Sequence, residues 1–537
     1  MAETLRGSVR FAHSTRPLPP HTAGGTPNRS NRLELRYPDG MISDEGVTGM
    51  SLFDATAADE KNIFGSAKLI NPDNNLLVAS GINLGVVTAT ITTTKETRNW
   101  LGFKSTQEQS KVDLAPVRYD DERHVVTIAP SRSGKGTTAI IPTLLDYDGS
   151  VLVIDPKGQN AAVTARQRRK FGDVRVINPF GLHIEAPWKL TQDKFNPLAA
   201  IDPESDNLVA DVTSLCEALI INDGKDSHWT NSARDLVSAI IMYLITTPGR
   251  TATLPEMRRI LSQPYEPLNV ELQRMAASPK LFVAQRAGRF LAEKSGEFSR
   301  EIQSILSTAL TQTSFLDDPA IANSLSGDDF RFADLKTKKL SVFLVLPSRY
   351  IAAYSRWLRL FVVSAVDSML SSPKGKGKPV LFVLDEFASL GHLSSIETAM
   401  ALAAGFGVRL WPILQDINQA KDIYDDRWET FLANAGILQA FSPNDMTTAE
   451  YLSKRCGTRQ AYFTQPAPPY HDATFTPQIS VFSRPLALPQ ELMGMLPNEA
   501  VLFLSGLPNP IFVNRLPYYD YRMKWFFGLY DRDPYHQ

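Results

Sequence analysis

The chain has 537 residues, a formal net charge of −1, and 21% charged and 43% hydrophobic residues. This length predicts two or three domains rather than one compact core. The balanced composition is that of an ordinary globular protein. It excludes a strongly basic chain, so any DNA contact has to come from local patches or from a ring of subunits that focuses weak charge.

The cysteines indicate the redox compartment of the chain, and the apolar stretches indicate whether it crosses a membrane. Two cysteines, Cys216 and Cys456, are too few for a disulfide or zinc framework; they indicate a reducing compartment and are expected to be core thiols. Residues 1–17 lack the apolar core of a signal peptide. The longest apolar stretches, residues 236–245 and 358–370, fall short of the ~20 residues that a membrane helix needs. The sequence therefore predicts a soluble chain without a transmembrane segment.

Composition and periodicity divide the chain into five segments. Residues 1–62 are rich in Pro, Gly, Ser, Thr and Asn and predict a flexible N-terminal segment. Residues 63–117 predict a small β-rich lead-in to the core. Residues 118–205 and 335–537 alternate apolar strands with helices, which predicts the two parts of one nucleotide-binding domain with a mostly parallel sheet. Residues 206–334 predict an inserted all-α domain, so the fold class is α/β. Apolar residues recur there at three- and four-residue spacings in the stretches 207–220, 232–245, 254–262, 279–294 and 297–313.

One stretch of the second α/β part stands out. Residues 459–477 contain four prolines and predict an irregular excursion from the sheet.

A strand, a glycine-bearing loop and the start of a helix follow one another in residues 123–143, RHVVTIAPSRSGKGTTAIIPT. This order is typical of a P-loop, in which backbone N–H groups and a helix N-terminus converge on nucleotide phosphates and a lysine reaches round them. Lys135 is that lysine. The other predicted phosphate-binding residues are Pro130, Ser131, Arg132, Ser133, Gly134, Gly136, Thr137 and Thr138.

The loop departs from the P-loop consensus at two positions. Ala129 takes the place of the first glycine, and Gly136 rather than Ser or Thr follows Lys135. The hydroxyl nearest the magnesium position is therefore that of Thr137 or Thr138, and we assign Thr137 to the metal. Taken alone, the pattern fits a strand-to-helix turn without a ligand about equally well, so a second motif has to decide.

That second motif is PVLFVLDEFASL, residues 379–390. Five apolar residues end in Asp385 and Glu386, which predicts a strand buried on both faces with two carboxylates at its C-terminal edge. ATP hydrolysis needs one acid for Mg²⁺ and one to polarise the attacking water. We assign Asp385 to the metal and Glu386 to the water, and the two motifs together predict binding of ATP and Mg²⁺.

With these residues identified, the sequence resembles the coupling proteins of type IV secretion and conjugation, the TraG-type family of RecA-like P-loop ATPases. The replacement of GKS or GKT by GKG is itself usual in that family. The resemblance covers residues 64–520 and rests on these blocks: FGSAKLI at 64–70, HVVTIAPSRSGKG at 124–136, VLVIDPKGQNAAVTA at 151–165, INPFG at 177–181, VLDEFASLGHLSSIETAMALAAGFGVRLWPILQDINQ at 383–419, FLANAGILQAFSPND at 431–445, SRPLALPQELMGMLPNEAVLF at 483–503 and PYYD at 517–520.

The resemblance implies a homo-hexameric ring of RecA-like domains, each with its all-α domain on the cytoplasmic face. By matched position, Lys135 binds phosphate, Asp385 holds the metal, Glu386 activates water and Gln415 senses the γ-phosphate at the end of its strand. A glutamine suits that role because its amide donates to phosphate while its carbonyl orients water. The alternative is a polar strand end bonded to backbone.

A cation from the neighbouring subunit is also expected, because the charge on a transferred phosphoryl group needs a partner that assembly supplies. The candidates are Arg409, Arg427 and Lys157, and the sequence does not separate them. Arg132, within the loop, is expected to support loop or ring contacts instead.

The implied function is ATP-dependent recruitment and delivery of DNA–relaxase complexes, protein effectors or both to a type IV secretion channel. The implied partners include the inner-membrane components of that system. No base-reading motif is visible, so DNA binding is expected not to depend on sequence. Family members normally begin with membrane-spanning helices, which this sequence does not show before residues 64–70. Either this is a naturally soluble member that docks to a membrane partner, or the membrane segment lies on another protein or was removed. We expect a cytoplasmic protein, peripheral at the bacterial inner membrane. The alternatives are a DNA motor that acts without secretion and a docking scaffold that nucleotide only stabilises.

Overall fold

A computed structural model describes residues 31–36, 81–98, 104–221, 227–291, 298–464, 479–520 and 530–536. Most of the predicted flexible segment and the start of the β-rich lead-in lie outside these residues. The chain forms two compact units: Met1–Asp148 with Ile413–Gly528, and Gly149–Pro412 with Leu529–Gln537. The five segment boundaries set out above stay predictions.

The strands in the described residues are, in chain order, β1 (Asn31–Arg36), β2 (Ile82–Arg98), β3 (Lys104–Tyr119), β4 (His124–Ile128), β5 (Val151–Asp155), β6 (Asp173–Ile177), β7 (Leu340–Val345), β8 (Val380–Leu384), β9 (Val408–Leu414), β10 (Ala435–Phe441), β11 (Thr458–Thr464), β12 (Ile479–Pro485), β13 (Glu499–Leu504) and β14 (Ile511–Asn514).

The α-helices in the same residues are α1 (Ile141–Asp146), α2 (Gln159–Arg168), α3 (Leu208–Leu219), α4 (Ser227–Thr246), α5 (Leu254–Leu261), α6 (Tyr265–Ala276), α7 (Leu281–Gly288), α8 (Arg300–Gln312), α9 (Pro319–Ser324), α10 (Asp334–Thr337), α11 (Ser355–Leu370), α12 (Ser394–Leu402), α13 (Ile417–Tyr424), α14 (Trp428–Ala433), α15 (Met446–Cys456) and α16 (Pro489–Met493). One π-helical turn, Gly136–Ile140, leads into α1.

In the first unit, the sheet runs in the order β1, β2, β14, β13, β10, β4 and the end of β9, with β3 paired to β2. Strand β4 is parallel to β10 and to the last residues of β9, with Thr127 opposite Ile413. The pairs β10–β13, β13–β14 and β2–β3 are antiparallel. The strand of the P-loop motif therefore lies between two parallel neighbours, which matches its β-branched residues 125–128 and its burial at every position.

In the second unit, β9, β8, β5, β7 and β6 follow one another and every pair is parallel. Strands β5, β7 and β8 are buried at every position. Parallel strands covered on both faces need such continuous apolar runs. The structure thus confirms the predicted α/β class with a mostly parallel sheet.

From Leu208 to Thr337, the described part of the chain between β6 and β7 is mostly helical. Helices α3, α4, α5, α7 and α8 overlap the five predicted helical stretches; α4 begins five residues earlier and α7 ends six residues earlier than predicted. Helix α6 was not predicted. Its Pro267 lies in the first turn, where the proline ring is tolerated because the N–H it lacks has no partner inside the helix.

Two further expectations can be compared with the structure. The predicted irregular excursion is wrong at its start, because residues 458–464 form β11 and pair with β12; residues 465–478 lie outside the described part. The prolines come only after this strand, and its partner follows at residue 479. Cys216 and Cys456 are free and buried, which confirms them as core thiols.

Within the described residues, no helix combines the length and the apolar character that crossing a bilayer requires.

Candidate nucleotide-binding site

The predicted P-loop forms a compact turn between β4 and the π-helical turn that starts at Gly136. The Ser133 N–H donates to the Pro130 carbonyl at 3.2 Å. Gly134 has a φ of 82°, a left-handed conformation that glycine adopts without strain, and Arg132 has a φ of 62°. The first N–H groups of the following helical turn lack partners inside the helix, so a phosphate is a suitable acceptor for them. The loop therefore has the shape and donor set that a nucleotide phosphate needs.

The two threonines after Lys135 differ in their contacts. Thr138 Oγ1 donates to the Gly134 carbonyl at 2.9 Å and accepts from Arg515 Nη1 at 2.8 Å. Thr138 is 9% exposed. Thr137 Oγ1 makes a longer hydrogen bond of 3.2 Å to the same carbonyl, and Thr137 is half-buried. The arrangement favours Thr137 over Thr138 as the hydroxyl for a metal ion.

Gln415 lies beside the loop, one residue after the end of β9. Ser131 Oγ donates to Gln415 Oε1 at 3.0 Å, which holds the carbonyl end of the amide against the P-loop. The Gln415 backbone N–H donates to Gln419 Oε1 at 2.8 Å. Asp416 caps α13 by accepting from the Gln419 N–H at 2.9 Å. The tail of β9 is thus anchored on both sides of the predicted sensor.

The segment after β14 also contacts the P-loop, and the sequence reasoning missed it. Arg515 donates to the Ser133 carbonyl at 3.1 Å as well as to Thr138. The Tyr518 N–H donates to the Thr137 carbonyl at 2.9 Å. The only signal in the sequence was the block PYYD at 517–520, to which no role was attached.

The predicted acidic pair lies in the second unit, directly after β8. The Glu386 N–H donates to Asp385 Oδ1 at 3.1 Å, and Glu386 has a positive φ of 57°. A cavity of about 540 Å³ is lined by Glu386 together with Ser348, Ile351, Ala352, Ser355 and Ser389. A carboxylate facing a roomy cavity with hydroxyl groups has access to water, as a residue that activates water requires.

A third carboxylate follows the neighbouring strand β5. Asp155 is buried and accepts from the Ala161 N–H of α2 at 2.8 Å. Burial raises the pKa of Asp155 to about 7, with a smaller contribution from the charge of Asp385. The Asp155 carboxyl therefore accepts from the first turn of α2, whose N-cap residue is Gly158.

The three candidate finger residues differ in exposure. Arg409 lies in β9 and is 0% exposed, whereas Arg427 and Lys157 are exposed. A side chain that acts on a neighbouring subunit has to reach the protein surface, so burial counts against Arg409. Arg427 lies in the first unit with the P-loop and Gln415, whereas Lys157 and Arg409 lie in the second unit with the acidic pair.

A parallel α/β core with a lysine-bearing phosphate loop after a buried strand defines a RecA-like P-loop protein. Residues 84–528 match the profile of the family described as Type IV secretory system Conjugative DNA transfer, so the chain belongs to that family. This confirms the resemblance seen in the sequence.

Similar proteins and solved structures support the family assignment. The conjugal transfer protein TraG of Escherichia coli is 31% identical over 64% of this chain and 56% of its own length. Protein VirD4 of Agrobacterium fabrum is 30% identical over 75% of this chain and 60% of its own length. The chain therefore spans little more than half of each relative. The plasmid coupling protein TrwB in complex with ADP and Mg²⁺ has the same fold, with a TM-score of 0.54 and 17% identity over 74% of this chain and 86% of the TrwB chain.

Proposed function

We propose that this protein is an ATP-dependent coupling protein that recruits DNA–relaxase complexes, protein effectors or both and delivers them to a type IV secretion channel. The observation that carries the proposal is the P-loop with Gln415 hydrogen-bonded to Ser131, in a chain whose residues 84–528 match the conjugative DNA transfer family. A glutamine held at a phosphate loop suits a motor that has to detect whether the γ-phosphate is present.

Nucleotide and metal binding follow from the same residues. Lys135 neutralises phosphate charge, Thr137 is the proposed hydroxyl ligand of Mg²⁺, and Asp385 is the proposed acid for that ion. The complex of TrwB with ADP and Mg²⁺ supports these cofactors for a protein of this fold. Mg²⁺ supplies charge neutralisation at the phosphates when bound. Glu386 orients the attacking water and accepts its proton, for which the adjoining cavity provides access.

In the proposed homo-hexamer, the neighbouring subunit supplies the cation that balances the charge on the transferred phosphoryl group. Of the candidates, the exposed Arg427 and Lys157 fit an acting residue of the neighbouring subunit better than Arg409 does. A cation that arrives only in the ring ties ATP turnover to assembly.

The proposed setting is the cytoplasmic face of the bacterial inner membrane, beside the inner-membrane components of the secretion system. With a net charge of −1, the chain has no global attraction for nucleic acid. DNA contact is therefore proposed to be local, directed at phosphates and independent of sequence. Such binding weakens steeply with salt, which a titration of duplex and single-stranded DNA at two salt concentrations measures.

The decisive experiment pairs ATP turnover with transfer in cells. We expect Lys135→Ala and Glu386→Gln to abolish both, because the first loses phosphate binding and the second loses the acid that activates water. Lys170→Ala removes an exposed lysine from the end of α2 and is the control. If transfer survives either site variant and the native protein shows no DNA-stimulated hydrolysis, the docking scaffold is favoured. If transfer survives and DNA stimulates hydrolysis by the native protein, a motor outside secretion is favoured.

A further inference from the structure

We propose that Arg515 is a positioning residue of the phosphate site, which holds the P-loop through Ser133 and Thr138 and places a buried positive charge against this loop. The inference rests on the proposed nucleotide-binding function. It assigns a role to a residue that lies far from both sequence motifs.

Two hydrogen bonds from one guanidinium nitrogen reach the loop. Arg515 Nη1 donates to the Ser133 carbonyl at 3.1 Å and to Thr138 Oγ1 at 2.8 Å. A Cβ atom built on Gly134, the residue before Lys135, would lie 4.0 Å from the same nitrogen. The cation is thus packed against the part of the loop that has to present its N–H groups to phosphate.

The rest of the guanidinium is anchored in the first unit. Nε donates to the Glu499 carbonyl at 3.0 Å, and Nη2 donates to the Pro497 carbonyl. The central carbon lies 3.5 Å from the centre of the Phe441 ring, a cation–π contact. Arg515 is 2% exposed. A planar fork with this many fixed partners cannot shift without disturbing the loop, and a lysine cannot reproduce it.

The charge of Arg515 has a consequence for ligand choice. Every hydrogen bond that the structure describes for this guanidinium goes to a neutral oxygen, either a carbonyl or the Thr138 hydroxyl. Burial lowers the pKa of Arg515 to about 10, so the side chain stays positive at neutral pH. Holding a buried charge against neutral groups alone is costly. The phosphates of a bound nucleotide offset that cost, and more phosphate charge offsets more of it.

The test measures binding of a fluorescent ATP analogue and of the matching AMP analogue to the full chain, together with the thermal unfolding midpoint. We expect Arg515→Lys to weaken binding of the ATP analogue roughly ten- to a hundred-fold, the usual effect of losing hydrogen bonds from a charged group. We expect the affinity for the AMP analogue to fall clearly less, because AMP has less phosphate charge to interact with the arginine. Arg168→Gln is the control: it removes a buried arginine of the second unit that also donates to a hydroxyl and a carbonyl, and it should lower the midpoint without this loss.

Thr138→Val keeps the arginine and removes only the hydroxyl that it holds, so it serves if the Arg515 variants do not fold. If Arg515 acts through Thr138, combining Arg515→Lys with Thr138→Val lowers the affinity for the ATP analogue little further than Arg515→Lys alone. Binding of the ATP analogue within two-fold of wild type in Arg515→Lys or Thr138→Val would overturn the inference. So would equal losses for the ATP and AMP analogues. A wild-type chain that binds neither analogue would overturn the proposed function as well, so the two failures are distinguishable.

Discussion

The hydroxyl of Ser131 donates a hydrogen bond to the side-chain oxygen of Gln415 at 3.0 Å. The first residue belongs to the phosphate loop and the second follows the end of β9, a strand that runs parallel to β4. Since the C-terminal ends of parallel neighbours meet at one edge of a sheet, the loop and the sensor are brought together by strand order. A change at the phosphates can therefore reach β9 through a single side-chain contact.

Removing that contact gives the first prediction. We expect Ser131→Ala to lower ATP turnover about five-fold with little change in nucleotide affinity, because it removes one neutral hydrogen bond worth about 1 kcal/mol. Steady-state turnover and equilibrium binding measure the two effects separately. Ser442→Ala is the control, since its hydroxyl donates to the Met493 carbonyl of the same unit at 3.0 Å. Unchanged turnover in Ser131→Ala would remove the contact from the mechanism.

The second prediction separates the finger candidates. If Arg427 acts on the neighbouring subunit, Arg427→Ala lowers turnover about a thousand-fold while nucleotide binding stays intact. Lys157→Ala has that effect if the lysine is the finger. We expect Arg409→Ala to lower the unfolding midpoint, because it empties a site that is 0% exposed.

Mixing subunits tests the action in trans. Adding Lys135→Ala subunits, which keep every candidate cation, should restore part of the turnover of the true finger variant. A finger variant whose activity does not recover in the mixture acts within its own subunit.

The third prediction concerns pH. The pKa of the Asp155 carboxyl is raised by burial from 3.8 to about 7, so between these values the native state binds a proton that the unfolded state has released. Stability is therefore greatest at the acid side of this window and falls as pH rises through it, by an amount on the order of 4 kcal/mol in full. Asp155→Asn keeps an acceptor for the Ala161 N–H but no longer titrates. We expect it to raise the unfolding midpoint at pH 8 and leave it nearly unchanged at pH 4. Parallel pH profiles for variant and wild type would refute this assignment.

The fourth prediction concerns the loop that follows Glu386. Arg359 of α11 is buried and donates to the carbonyls of Leu390 and His392 in that loop and of Ala218 at the end of α3. We expect Arg359→Gln to lower turnover at least ten-fold and leave nucleotide affinity near wild type, because it loosens the loop after the acidic pair but not the P-loop.

The neighbouring arginine provides the control for this variant. Arg356→Gln changes the same helix, where Arg356 Nη2 donates to Gln312 Oε1 at 2.6 Å instead of to the loop. Equal kinetic effects of the two variants would reduce Arg359 to a general stabiliser of α11.

Much of the fold could be predicted because the buried strands have their own signature. The runs HVVTI, VLVID and VLFVL are buried at every position, and their short length and β-branched or apolar character are typical of strands covered on both faces. Strand β11 was missed because its partner β12 begins beyond a proline-rich stretch, so its pairing depends on a distant segment rather than on local pattern.

The candidate site shows where this kind of prediction ends. Lys135, Asp385 and Glu386 could be proposed from sequence because phosphate binding and hydrolysis call for those residue types in the segments that follow buried strands. Gln415 could be proposed only from the family resemblance. Exposure separates Arg427 from Arg409, a distinction that the sequence analysis did not make. Burial depends on what packs over a residue, which is a property of the folded chain.

By itself, the sequence was enough to identify the candidate phosphate loop, the acidic pair, the parallel strands that precede them and the family. Each of these features depends on a run of consecutive residues. Only the tertiary structure decided that Thr138 is held by Arg515, a residue 377 positions away. It also showed that Thr137, already assigned to the metal from sequence, makes the longer of the two hydroxyl hydrogen bonds to the Gly134 carbonyl. The physical reason is that a hydrogen bond depends on distance in space, and folding brings together atoms that no local pattern relates.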